Sequence, residues 1–152
     1  MSGERYMLDT DILVFMLRGL KLPDAKNERR VQAERIRKRI EQKLRAGSMI
    51  YISTVTVCEL EYGATKADDP GKERRALYKI LAPFELLGCD AMKMPRLYGE
   101  IRRNLEESGK PIGSMDLLIA AHALAAGAIL VSNNVKEFSK VKGLQAINWA
   151  RV

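Results

Sequence analysis

At 152 residues the chain suits one domain with one core, and a hydrophobic content of 47% excludes a disordered chain. No apolar run approaches the ~20 residues of a membrane-spanning helix, so no membrane partner is expected. The formal charge of +7 is unevenly placed: between Lys26 and Arg45 there are nine Lys/Arg against three Glu, which makes a polyanionic partner a candidate and a solvated helix face its plain alternative.

The opening Met1-Ser2-Gly3-Glu4-Arg5 lacks the charged-then-apolar layout of a secretory signal, and a cytoplasmic address follows. Tyr6 to Asp9 reads as a short apolar strand ending in an acid. Asp11 is placed to cap a helix from Ile12 to about Arg18, and Gly19 and Pro23 break the chain. Ala33, Ile36, Ile40 and Leu44 recur at helical steps and predict a second helix from about Asn27 to Leu44. Met49 to Ile52 forms a second strand. Ser53 or Thr54 opens a helix to about Lys66 that carries Glu59, and the turn Asp68-Asp69-Pro70-Gly71 separates it from a helix over Lys72 to Leu81.

Phe84 to Leu87 reads as a third strand, and Met94, Leu97, Tyr98, Ile101 and Leu105 line one face of the next helix. Ser114 to about Ala126 is apolar nearly all round, as a helix packed in the interior is. Ala128 to Ser132 is a buried fourth strand, and Leu144 to Trp149 a fifth at an edge. Strands alternating with helices predict an α/β fold, a mostly parallel sheet of about five strands between helical layers. Residues 1–152 hold no internal repeat or linker that would divide this single domain. Cys58 and Cys89 lie in separate apolar segments and read as buried free thiols.

Four polar residues sit where strands end or the following helices begin: Asp9, Glu59, Asp116 and Asn134. In an open parallel sheet the carboxyl ends of the strands share one edge, where sites form. Each residue alone has an ordinary reading. Asp9 is a turn former, Glu59 a solvated side chain, and Asp116 a first-turn acid worth ~0.3–1 kcal/mol against the helix dipole. Structural caps have no reason to be acidic at all of these places, and acids gathered there repel one another unless a hard divalent cation sits among them. His122 lies in the same helix as Asp116 but points away from its face, which makes it a core or supporting residue rather than a general base.

The blocks Leu8-Asp9-Thr10-Asp11-Ile12-Leu13, Ile52 to Gly63, Asp116 to Ala123 and Leu130 to Phe138 resemble, in order, the signature segments of the PIN domain, and most closely its VapC-type toxins. That resemblance implies a PIN-like three-layer sandwich and a Mg2+- or Mn2+-dependent endoribonuclease. It also implies an RNA substrate, a VapB-like antitoxin that holds the enzyme inactive, and a homodimer. Asp9, Glu59 and Asp116 match the family's metal-binding acids, and Asn134 stands where many members have a fourth acid. The convergence of these acids leads to the expectation that Asp9 and Asp116 hold the metal most directly, and that Glu59 holds a metal-bound water, or a second ion when substrate phosphate is present. Asn134, Ser132 and Thr10 orient waters. The alternatives are a catalytically decayed RNA-binding or regulatory module, suggested by the amide at Asn134, and a phosphatase beginning at Asp9-Thr10-Asp11. The phosphatase motif needs Thr or Val where this chain has Leu13.

Overall fold

Tyr6 and Leu8 of the first strand pack into one apolar cluster and Met7 into another, so a sheet with both faces covered is already implied by three consecutive side chains. The computed structural model of the chain describes residues 3–151. Its strands are β1 (Arg5–Leu8), β2 (Met49–Ser53), β3 (Glu85–Leu87), β4 (Ile129–Val131) and β5 (Ala146–Ile147). All pairings are parallel, in the order β3-β2-β1-β4-β5, with Leu8 opposite both Ile52 and Val131. The helices are α1 (Thr10–Leu20), α2 (Glu28–Arg45), α3 (Thr54–Thr65), α4 (Pro70–Leu81), α5 (Lys93–Glu107), α6 (Ser114–Ala126) and the four-residue α7 (Val135–Phe138). Among the described residues no helix is long and apolar enough to cross a membrane.

Residues from α1, α2 and α4 fill the cluster on the Tyr6 side of the sheet, with Trp149 set against Tyr6 at 5.0 Å between ring centroids. Residues from α5 and α6 fill the other. Chain order reverses direction between β1 and β4, which puts the crevice of a doubly wound sheet beyond their carboxyl ends. Because α6 runs back toward the start of β4, its first turn lies at that same edge. Gly127 closes α6 with a left-handed residue (φ 64°), and the Ala128 N–H returns to the Ala123 carbonyl at 2.9 Å before β4 begins.

Two expectations are corrected here and one element is added. Gly19 does not break the first helix but lies inside it. A Cβ there would stand 2.6 Å from the Ala33 Cβ and 3.0 Å from the Arg29 carbonyl oxygen, so the missing side chain is what lets α1 and α2 touch. Both cysteines are exposed rather than buried, because Cys58 lies on the outer side of α3 and Cys89 in the loop after β3. The stretch after β4, where the sequence predicts no element, contains α7, pinned by the fully buried Phe138.

The basic helix α2 is tied into the fold by much of its charge. Arg30 donates to the Leu20 and Leu22 carbonyls at 2.7 and 2.6 Å, capping the end of α1. Arg29 lies over the Phe15 ring, Arg35 reaches the Ala150 carbonyl, and Arg37 pairs with Glu34 and Glu41. Among the described residues, Lys38 and Arg39 have no side-chain hydrogen bond or ion pair.

The helix contact at Gly19 sets a paired test. Gly→Ala in a helix ordinarily gains ~0.5–1 kcal/mol, whereas a forced overlap in a packed site costs ~1–3 kcal/mol. Gly63 in α3 has open space where a Cβ would stand. Thermal unfolding should show Gly63→Ala raising Tm and Gly19→Ala lowering it, each by several degrees.

Candidate active site

Asp9 is the last residue before α1, and its position is fixed twice over. Its backbone N–H donates to the Val131 carbonyl at 3.0 Å, extending the β1–β4 ladder. Its carboxylate accepts the Ile12 N–H at 2.8 Å through Oδ1 and the Ser132 hydroxyl at 2.5 Å through Oδ2. Asp9 is therefore the N-cap of α1, a role assigned above to Asp11; the cap bond requires the third helical N–H, and Ile12 stands at that spacing from Asp9. Asp11 is exposed in the first turn. Ser132, fully buried just past β4, also accepts the Asn134 N–H at 2.9 Å, so the loop after β4 hangs from the same hydroxyl that holds Asp9.

Around this pair the sheet edge collects negative charge. Burial pushes the Asp9 carboxyl up to about 7 against the pull of its bonds from Ser132 and Ile12, and repulsion from Asp11 and Asp116 adds to the rise. Asp116, half-buried in the first turn of α6, is also raised, first by burial and then by Asp11, Glu59 and Glu137. Glu59, on α3, accepts the Thr10 hydroxyl at 2.6 Å, and Thr10 Oγ1 stands 3.0 Å from the Thr56 hydroxyl. The three expected acids thus share one electrostatic neighbourhood, but they do not form a closed cage. Among the described residues no three His, Cys, Asp or Glu side chains are placed to hold a metal ion between them. The reason is visible in their partners: Asp9 is turned inward by Ser132 and the Ile12 N–H, and Glu59 is drawn to Thr10. The donors present suit a hard cation that keeps most of its own waters and needs few direct carboxylate ligands.

Asn134 lies at the N-terminus of α7 with its side chain exposed and without a capping bond. A carboxylate not anticipated from the sequence also acts here. Glu137, one turn into α7, acts on Asp116 and is itself paired with Lys140 at 3.0 Å. His122 is buried away from these acids, hydrogen-bonded to Ser53 and Gly88. A groove of about 470 Å3 opens from Thr10 and Glu59 between α1, α3 and α4. Val14, Leu17, Leu77 and Ile80 lie along it, with Arg18, Lys21 and Lys66 among its cations.

A sheet of this order with acids at its switch point defines a class, and the family comparison agrees: residues 6–144 match the PIN domain, and the chain belongs to that family. Within it the chain groups with VapC proteins. It is 36% identical to Ribonuclease VapC2 of Rickettsia felis, over 95% of this chain and 97% of that one. It is 33% identical to the tRNA(fMet)-specific endonuclease VapC of Shigella flexneri, over 96% and 98%. Among solved structures it resembles VapBC2 of Rickettsia felis bound to a promoter DNA fragment, with a TM-score of 0.78 at 35% identity, covering 95% of this chain and 98% of that chain. It also resembles VapBC-1 of nontypeable Haemophilus influenzae, with a TM-score of 0.82 at 29% identity and 97% and 99% coverage.

Asp9 makes metal-free stability depend on pH with a defined sign. In the folded chain it keeps its proton up to about pH 7, whereas in the unfolded chain it ionises from the ordinary value of 3.8. Folding therefore takes up a proton between these limits, and stability falls as pH rises through that window, by an amount on the order of a few kcal/mol. Melting curves in excess chelator should show Tm dropping from about pH 5 to about pH 8 more steeply in the native chain than in Asp9→Asn. Equal slopes would remove the buried-acid assignment.

Proposed function

We propose that the chain is a divalent-metal-dependent endoribonuclease acting as the toxin of a toxin–antitoxin pair. The observation that carries this reading is the crowding of Asp9, Asp116, Glu59 and Glu137 at the switch point of the sheet, where burial and the neighbouring acids oppose the charge of Asp9 and Asp116. Such a cluster is unfavourable in water alone and favourable around a cation. Relatives named as VapC ribonucleases, at 30–36% identity over nearly the whole chain, support the same activity.

Asp9 and Asp116 would hold Mg2+ or Mn2+ directly, with Glu59 and Glu137 reaching it through water. When bound, the ion supplies an acidified water and a polarised phosphate for phosphodiester hydrolysis. The chain's own residues do the positioning. Ser132 and the Ile12 N–H aim the two oxygens of Asp9, and the Thr10 hydroxyl fixes one oxygen of Glu59. Asn134 offers an exposed amide at the rim, able to donate to a phosphate oxygen or hold a water. The decayed-module alternative is not favoured. Asp9, Glu59 and Asp116 are all present, and Glu137 contributes a carboxylate beside Asn134.

The antitoxin would reach the same site as the RNA. The apolar floor and cationic rim of the groove beside Glu59 suit an amphipathic, acidic segment of a VapB-like antitoxin, which would cover the site while lying there. The solved relatives are VapB–VapC complexes, which supports such a partner.

The test is cleavage of RNA by purified protein with Mn2+ or Mg2+. Asp9→Asn and Asp116→Asn of confirmed fold should lose at least about 100-fold in rate, and Glu137→Gln about 10- to 100-fold. Chelator should abolish cutting. Wild-type rates in both Asp variants would sink the mechanism. Sequencing RNA 5′ ends after induced expression, with Asp9→Asn as the blank, identifies the RNA.

A further inference from the structure

The catalytic reading leaves a buried imidazole without a task. His122 is 1% exposed in the middle of α6, on the helix that carries Asp116. Its ring touches two other elements at once. Nδ1 lies 2.7 Å from the Ser53 hydroxyl, and Nε2 lies 3.1 Å from the Gly88 carbonyl oxygen. Gly88 offers only an acceptor there, so Nε2 carries the proton and donates. Nδ1 is then the acceptor, and Ser53 donates to it. Ser53 in turn accepts the Val55 N–H at 3.0 Å, which makes it the N-cap of α3. The Cys89 sulfur completes the surroundings at 3.7 Å from Nδ1.

We propose that His122 is a positioning residue, a two-ended strut that locks the N-cap of α3 to α6 and so sets where Glu59 stands relative to Asp116. The inference rests on the catalytic reading for its consequence but not for its geometry. α3 starts at Thr54 and carries Glu59 a turn and a half later, so its first turn decides the placement of that carboxylate. Ser53 is fully buried, so bulk water does not compete with the imidazole for its hydroxyl. α3 and α6 are neighbours, and among the described residues the bond from Ser53, the cap of α3, to His122 is the one side-chain hydrogen bond that ties them together. The neutral ring suits the task because it presents one acceptor and one donor at opposite ends of a rigid plane. Burial lowers its affinity for a second proton, against the pull of the Gly88 bond, and so keeps the acceptor free.

Two amides separate the ends of the strut. The amide of Asn reaches the depth of Nδ1 and can keep the Ser53 contact, whereas that of Gln reaches Nε2 and keeps the Gly88 contact. Each loses one buried hydrogen bond, so His122→Asn and His122→Gln should lower Tm by similar amounts. They should differ in function. Amide hydrogen exchange over residues 55–59 should accelerate in His122→Gln and in Ser53→Ala but stay near native in His122→Asn. RNA cleavage should follow the same split, with kcat down about tenfold in the first two, KM within about twofold, and His122→Asn close to native. If His122→Gln fails to fold, Ser53→Ala carries the comparison. Equal exchange in His122→Asn and His122→Gln, or activity that tracks Tm alone, would overturn the proposal. The exchange measurement needs no catalysis. The split without any RNA cleavage by the native chain would keep the strut and discard the nuclease reading.

Discussion

The constraint on which the molecule turns is a carboxylate kept out of water at the seam between β1 and β4. Asp9 is 3% exposed, yet it is the residue that ends a strand, caps a helix and faces the crevice. Its backbone belongs to the sheet and its side chain to Ser132 and Ile12. Among the described residues no Lys or Arg is paired with its carboxyl. Fold and site are therefore one construction here: the bonds that let the sheet close around Asp9 also hold its two oxygens at fixed angles.

The other acids reach this seam by separate routes. Asp116 arrives on a helix whose far end is secured by the Gly127 turn, Glu59 on a helix capped by Ser53, and Glu137 on a single turn anchored by Phe138. Each carrier is fastened by a contact away from the acid it delivers. That division keeps the acids close to one another although Asp11, Glu59 and Glu137 act against the charge of Asp116.

Much of this was readable in the residues themselves. The alternation of Tyr6, Met7 and Leu8, the apolar run of α6 and the acids at strand ends each obey one dominant rule, and sheet, helix and edge followed. The failures came where two rules competed. Asp9 and Asp11 both had the chemistry of a cap, and only the backbone geometry at Asp9 decides between them. Gly19 carried a breaker's identity, but the close approach of Ala33 gave its missing side chain a different purpose. Cys58 sits among apolar neighbours in a helix whose faces are weakly distinguished, so composition misjudged its exposure. Glu137 was missed because a four-residue helix is too short to show a period, and its effect on Asp116 exists only once β4 and α6 are side by side.

The borders of the sheet carry a consequence of their own. β3 offers three residues on one flank and β5 only two on the other. An incoming strand would find too few free amides and carbonyls to build a ladder, so docking by backbone zippering and fibrous stacking are both discouraged. Recognition of this molecule is thereby left to side chains rather than to a shared backbone ladder.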